Sequence, residues 1–128
     1  MQNIVLDTNF IVTAYKVKID IFTEFKRVLD FKYQFYIIDK TMDELETLIN
    51  KGSLTDKIGA IIGKQYLKRK NIKIIKTAKD NYVDELILAL NPNTFIIATQ
   101  DKELKKKLKN KKFKILTIRQ KKHIVLEN

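Results

Sequence analysis

Cysteine is absent from the 128 residues of this chain, which excludes disulfide bonds, Cys-ligated zinc and thiol nucleophiles. Histidine occurs once, at His123, and one imidazole cannot supply a paired acid–base mechanism, so we expect it to be structural or exposed. With one proline and three glycines, the sequence shows no linker, internal repeat or Gly-rich phosphate loop. Hydrolysis of nucleoside triphosphates is therefore not expected.

Long apolar runs are missing as well. No stretch approaches the length needed to cross a bilayer, and the first residues lack the basic and apolar regions of a signal peptide. We therefore expect a soluble, cytoplasmic protein without a membrane partner. A length of 128 residues with 45% apolar residues is sufficient for one domain, spanning 1–128, around a single core.

Positive charge is abundant and unevenly distributed. The formal net charge is +11, and residues 101–128 hold 11 Lys/Arg against 3 Asp/Glu, whereas residues 1–100 hold 15 against 12. A polyanion such as nucleic acid is the natural partner of such a basic region, with binding that weakens in salt. The alternative is that the lysines form a solvated surface that serves solubility.

Apolar periodicity predicts strands alternating with helices. Strands are expected at 3–6, 34–38, 72–75, 94–98, 114–117 and 123–126, and helices at 10–17, 19–31, between Asp39 as a cap and Gly52, and at 54–69, 80–90 and 102–109. Alternation of this kind favours crossover units. The predicted fold class is α/β, a three-layer α/β/α sandwich around a mainly parallel sheet.

Four acidic residues lie where a strand or loop gives way to a helix. Asp7 follows the apolar run 4–6 and Asp101 follows the strand 94–98, while Glu44 and Asp84 border the apolar stripes of two helices. Each alone is explained by helix capping or by the helix dipole. Because ligands bind beyond the carboxyl ends of strands in open α/β sheets, carboxylates gathered there indicate a divalent cation. Together with the basic surface, they point to phosphodiester chemistry on nucleic acid.

The order of these acidic motifs resembles the PIN-domain family of nucleases, across essentially the whole chain. The matching stretches are Val5-Leu6-Asp7-Thr8-Asn9, Asp43-Glu44-Leu45-Glu46-Thr47-Leu48, Tyr82-Val83-Asp84-Glu85-Leu86-Ile87 and Ala98-Thr99-Gln100-Asp101-Lys102-Glu103-Leu104. The tail from Ile115 to Lys122 is similar to archaeal PIN proteins related to ribosomal-RNA processing factors, and the family also includes VapC-type toxins.

The resemblance implies a PIN-like fold whose four acids, Asp7, Glu44, Asp84 and Asp101, bind Mg²⁺ or Mn²⁺ and catalyse hydrolysis of RNA to 5′-phosphate and 3′-hydroxyl ends. It implies that Thr8, Asn9 and Thr99 support this site. Neighbouring acids stay open as substitutes or helpers: Asp80 and Glu85 beside Asp84, Asp43 and Glu46 beside Glu44, and Glu103 beside Asp101.

Basic residues near the predicted acidic rim are candidates for RNA contact. They are Lys102 and Lys105 on the helix after Asp101, and Arg119, Lys121 and Lys122 near the end of the chain. An aspartyl phosphatase is not expected, because Asn9 interrupts its Asp-x-Asp pattern. The remaining alternatives are an RNA-binding scaffold without turnover and a toxin with an antitoxin partner. The resemblance also implies a homodimer, which the apolar faces of the first two helices could form.

Overall fold

Six strands form one sheet in this computed structural model, which describes residues 1–77 and 83–128. They are β1 (Gln2–Leu6), β2 (Tyr33–Ile38), β3 (Lys73–Ile75), β4 (Phe95–Ala98), β5 (Lys114–Arg119) and β6 (His123–Glu127). The spatial order is β3-β2-β1-β4-β5-β6, with all neighbours parallel except the antiparallel pair β5–β6. The chain leaves β1 toward β2 and β3, then crosses back to β4. The switch point of the sheet, where open α/β sheets bind ligands, therefore lies between β1 and β4.

Helices cover both faces of the sheet, which confirms the predicted three-layer sandwich. They are α1 (Thr8–Lys16), α2 (Ile21–Val28), α3 (Asp39–Lys51), α4 (Leu54–Arg69), α5 (Val83–Leu88) and α6 (Lys102–Asn110). Alternate strand residues feed two apolar cores: Ile4 and Leu6 pack beneath α1 to α4, whereas Val5 packs beneath α5 and α6. A strand buried on both faces explains the uninterrupted apolar run that precedes Asp7.

Most predicted elements lie within a few residues of the observed ones, and the differences have local causes. The helix predicted at 19–31 begins only at Ile21, because Asp20 caps it by accepting from the backbone N–H groups of Phe22 and Thr23 at 3.1 and 3.3 Å. The predicted helix at 80–90 ends at Leu88, four residues before Pro92; its first part, 80–82, lies outside the described residues.

The prediction of Asp39 as a helix cap is wrong. Strand β2 runs directly into α3, so Ile38 occupies the cap position and Asp39 is the first helical residue. Its carboxylate instead accepts hydrogen bonds from the backbone N–H and the hydroxyl of Thr77, at 3.0 and 2.6 Å. These bonds hold the pKa of Asp39 below its usual value and tie the segment after β3 to the start of α3.

The apolar faces of α1 and α2 lie in the core, with Ile11, Phe22 and Phe25 almost fully buried, so they are occupied within the chain itself. Helix α4 packs on α1 through small residues, and a Cβ at Gly63 would lie 2.5 Å from the Ile11 side chain. Four large apolar residues of α4 face outward and are exposed: Leu54, Ile58, Ile61 and Ile62. No helix in the described parts of the chain is long and apolar enough to cross a membrane.

Candidate active site

Asp7 is the most enclosed of the predicted acidic residues, with 7% of its surface exposed. It directly follows β1 and caps α1, and one carboxylate oxygen accepts from the Thr8 backbone N–H at 3.0 Å. The other oxygen accepts from the Thr99 hydroxyl at 2.7 Å. Burial raises the pKa of Asp7, these two hydrogen bonds oppose the rise, and the negative charges of Asp84 and Asp101 add to it.

The loop after β4 connects Asp7 to Asp101. The Thr99 hydroxyl donates to Asp7 and accepts from the Asp101 backbone N–H at 3.2 Å, so one buried oxygen orders both acids. Asp101 caps α6 by accepting from the N–H groups of Glu103 and Leu104, at 2.9 and 3.2 Å. Asn9 holds the same loop, because its side-chain oxygen accepts from the Gln100 N–H at 3.0 Å. Thr99 and Asn9 therefore lie beside Asp7 and Asp101.

Glu44 and Asp84 reach the site from helices α3 and α5. Partial burial and the negative charges of Asp7 and Asp84 raise the pKa of Glu44. The buried Thr8 hydroxyl makes no well-aligned hydrogen bond within the described chain. It nevertheless lies close enough to Glu44 to lower the pKa of that carboxyl and so to oppose the other two effects. Burial and Asp101 raise the pKa of Asp84, and Lys107 lowers it.

One cavity of about 350 Å³ brings these groups together at the switch point of the sheet. Its walls include all four predicted acids together with Thr8 and Asn9, and also Val12, Thr13, Lys16, Leu48, Asp56 and Val83. Within residues 1–77 and 83–128, no three carboxylate or imidazole groups converge closely enough to surround one ion directly. The acids thus face a common space without forming a closed cage.

The competing acids are less well placed. Glu46 forms an ion pair with Lys64, and Asp43 does not line the cavity, which favours Glu44 over these two neighbours. The side chain of Glu103 is 78% exposed and lies 3.9 Å from Lys106, as expected for a solvent-facing residue. Glu85 lines a neighbouring cavity beside Asp84, and Asp80 lies outside the described residues.

The model of the PIN-like domain family matches residues 4–121 of the chain, nearly its whole length. This chain belongs to the PIN-like domain family. Two relatives agree with the assignment. Ribonuclease VapC4 of Methanocaldococcus jannaschii is 37% identical over 125 residues, covering 96% of this chain and 95% of the relative. The structure of the PIN domain endonuclease Utp24 superposes with a TM-score of 0.79 and 28% identity, covering 98% of this chain and 90% of that one. The predicted family resemblance is confirmed.

The basic residues of this PIN-like domain differ in how freely they can meet a ligand. Lys102 is exposed at the start of α6, and Lys121 and Lys122 are exposed in the tight turn after β5. That turn follows the carboxyl end of β5 and so lies at the edge of the sheet that carries the acids. By contrast, Lys105 donates to the Thr117 hydroxyl, and burial lowers its pKa. Arg119 is paired with Glu127.

Gln100 has a role in the PIN-like site that the sequence did not indicate. Strand β4 ends at Ala98, and the Gln100 side chain continues its pairing with β5 by accepting from the Ile118 N–H at 2.6 Å and donating to the Ile118 carbonyl at 3.1 Å. The Thr117 hydroxyl donates to the same side-chain oxygen at 2.9 Å. These partners are 17 and 18 residues away in sequence, so the residues around Gln100 could not predict them.

Proposed function

We propose that this PIN-like domain is a metal-dependent endoribonuclease that hydrolyses RNA phosphodiester bonds at the cavity of Asp7, Glu44, Asp84 and Asp101. The observation that carries the proposal is the shared cavity, in which burial and mutual repulsion raise the pKa values of Asp7, Glu44 and Asp84. Carboxylates destabilised in this way are stabilised by a bound cation. The name of the relative, ribonuclease VapC4, supports RNA as the substrate.

The donor set fits a hard divalent ion. All four acids offer oxygen, no cysteine is present, and the orphaned Thr8 hydroxyl adds an oxygen without a well-aligned partner in the described structure. Mg²⁺ and Mn²⁺ accept such ligands, and Mg²⁺ keeps several waters, so one or two carboxylates suffice for each ion. An open arrangement in which no three described carboxylates converge is compatible with this mode of binding.

Each residue has a distinct part in the proposed reaction. Asp7 and Asp101, ordered by Thr99 and Asn9, would hold a metal ion, and Glu44 and Asp84, which line the same cavity, would supply further carboxylate oxygens. A divalent ion held there would lower the pKa of a water molecule and stabilise the charge that develops on the phosphate. Exposed Lys102, Lys121 and Lys122 bind flanking phosphates, with Lys105 and Arg119 behind them.

We further propose a role in processing ribosomal or other structured RNA, based on the similarity of the C-terminal tail to processing factors. A VapC-type toxin role would require an antitoxin partner, and a homodimer is a separate proposal for either role. The second candidate function is an RNA-binding scaffold without turnover. It is favoured by the finding that no three carboxylates converge in the described residues.

The deciding experiment is cleavage of end-labelled single-stranded RNA at low salt in Mn²⁺, Mg²⁺ or EDTA. We expect the wild type to cut only with a divalent ion, and Asp7→Asn and Asp101→Asn to lose at least about 100-fold of that activity. Asp43→Asn is the matched control, because Asp43 is exposed and does not line the cavity. Absence of metal-dependent cutting, with RNA bound equally by all four proteins, would support the scaffold instead.

A further inference from the structure

A second cavity of about 450 Å³ adjoins the acidic one. It is lined by Glu44, Val83, Asp84, Glu85 and Lys107. Glu44, Val83 and Asp84 also line the first cavity, so the two spaces meet along these residues. The acidic site therefore extends toward the α5–α6 side of the domain as a groove, which we call the α5–α6 lobe.

One lysine lines each of the two cavities, and the two lysines differ in their partners. Lys16, in the first cavity, is held by Asp56 at 2.8 Å, and their charges offset each other. Lys107, in the α5–α6 lobe, lies within 4.0 Å of no carboxylate oxygen in the described chain, although its charge lowers the pKa of Asp84. Among the described residues, Lys107 is thus the lysine of this groove that has no carboxylate partner, and its ammonium group can meet an anion.

Helix α6 directs its lysines to two different surfaces. Lys105 and Lys109 face the β5–β6 hairpin, where they contact Thr117 and Glu127. Lys107 and Lys111 face α5, where the Lys111 ammonium group donates to the Leu88 carbonyl at 3.3 Å. The lysines of α6 that face the hairpin and the lysine that lines the α5–α6 lobe therefore lie on separate surfaces.

We propose that Lys107 binds the RNA phosphate next to the phosphate that is cleaved. The RNA strand would then leave the acidic site along the α5–α6 lobe. This inference rests on the proposed nuclease function, because the lobe also contains three carboxylates. A polyanion enters it only when bound divalent ions offset the charges of Glu44 and Asp84. Under that condition Lys107 provides the remaining attraction for phosphate.

Lys107→Gln tests the contact, and Lys106→Gln is the matched control. Lys106 is the preceding residue, carries the same charge, and is 76% exposed beside Glu103, outside both cavities. Affinity for a fluorescent single-stranded RNA is measured by anisotropy across a salt series in Ca²⁺, with the integrity of the RNA checked on a gel. We expect Lys107→Gln to weaken binding about three- to tenfold and to reduce the salt slope by about 0.7, with less than a twofold effect in the control.

A second measurement locates the contact along the strand. Single phosphates of an RNA that the wild type cuts at one position are replaced, one at a time, by neutral methylphosphonates. One replacement next to the cut should weaken wild-type binding but leave Lys107→Gln unaffected, as expected for two changes that remove the same contact. Losses that add at every linkage, or equal losses in Lys106→Gln and Lys107→Gln, would overturn the inference.

The two proposals fail in distinguishable ways. If the wild type cuts RNA but Lys107→Gln binds it as tightly as the wild type, the inference fails and the nuclease function stands. If the wild type cuts no RNA in any metal while binding still depends on Lys107, the nuclease function fails and the lobe remains a strand-binding surface.

Discussion

The candidate site has a strand-end half and a helix half, and the two differ in how their carboxylates are held. Asp7 and Asp101 follow β1 and β4, and both accept backbone hydrogen bonds as helix caps. The Thr99 hydroxyl joins them from within the core. Glu44 and Asp84 stand on α3 and α5 without a comparable hydrogen bond in the described structure, and only the placement of these helices brings them to the cavity.

This difference indicates a division of roles. Groups that end paired strands cannot move without disrupting the sheet, so the strand-end half is preorganised before any ion binds. Groups on helices can approach or withdraw through small shifts of the helix or changes of rotamer. We therefore expect the strand-end half to determine where the ion binds, and the helix half to adjust how tightly it is held.

The largest expected effect on cleavage comes from comparing one substitution in each half of the site. Asp7→Asn should reduce metal-dependent cleavage by about three orders of magnitude and should not recover at high Mn²⁺, because the fixed ligand is gone. Glu44→Gln should reduce the cleavage rate about 10- to 100-fold, and the rate should recover partly as the Mn²⁺ concentration is raised, because Glu44 contributes to the affinity for the ion. Cleavage rates across a Mn²⁺ titration measure both, and equal recovery of the two variants would remove the distinction.

Thr99→Val tests the hydrogen bonds that order the strand-end half. Valine matches the shape of threonine but removes the donor to Asp7 and the acceptor for the Asp101 N–H. We expect cleavage to fall about 10- to 100-fold and unfolding free energy to fall by about 1–3 kcal/mol, because the residue is fully buried. Thr47→Val is the control, since that exposed hydroxyl donates to the Asp43 carbonyl at 3.0 Å and does not line the cavity. Similar losses in both variants would contradict the role of Thr99.

The smallest effect is a pH dependence of stability without metal. The folded state raises the pKa values of Asp7, Glu44 and Asp84, so it binds more protons than the unfolded chain, and these groups reduce stability as pH rises above about 4. Acids with lowered pKa values, such as Asp39 and Glu127, increase stability as pH rises. That increase is complete once the pH exceeds the ordinary carboxylate pKa of about 4.

Between about pH 5 and 7, Asp7→Asn should therefore gain stability relative to the wild type, seen as a rise in its Tm relative to that of the wild type. Adding Mg²⁺ or Mn²⁺ should raise the wild-type Tm more at pH 7 than at pH 5. Thermal melts in EDTA and in metal at both pH values measure this, with Asp43→Asn as the exposed control. If the wild-type Tm in EDTA rises from pH 5 to pH 7 relative to the Tm of Asp7→Asn, the prediction is contradicted.

Several features were predictable because they depend on neighbours along the chain. The run Ile4 to Leu6 followed by Asp7, and the run Phe95 to Ala98 followed by Thr99, are patterns of buried parallel strands, and the structure has β1 and β4 there. Parallel strands end at a common edge, so Asp7 and Asp101 come together as expected. The roles of these acids as caps also follow from sequence, since capping is a local interaction.

Other features were decided only by tertiary structure, because their partners are distant in sequence. Gln100 pairs with Ile118 on the next strand, and Lys105 is withdrawn into a contact with Thr117. Helix periodicity identifies Leu104 and Leu108 as buried, but among three consecutive lysines it cannot tell which one faces α5. Apolar pattern determined the layers and the acidic edge of this protein, whereas the packing of α5 against α6 decided that Lys107 lines the groove.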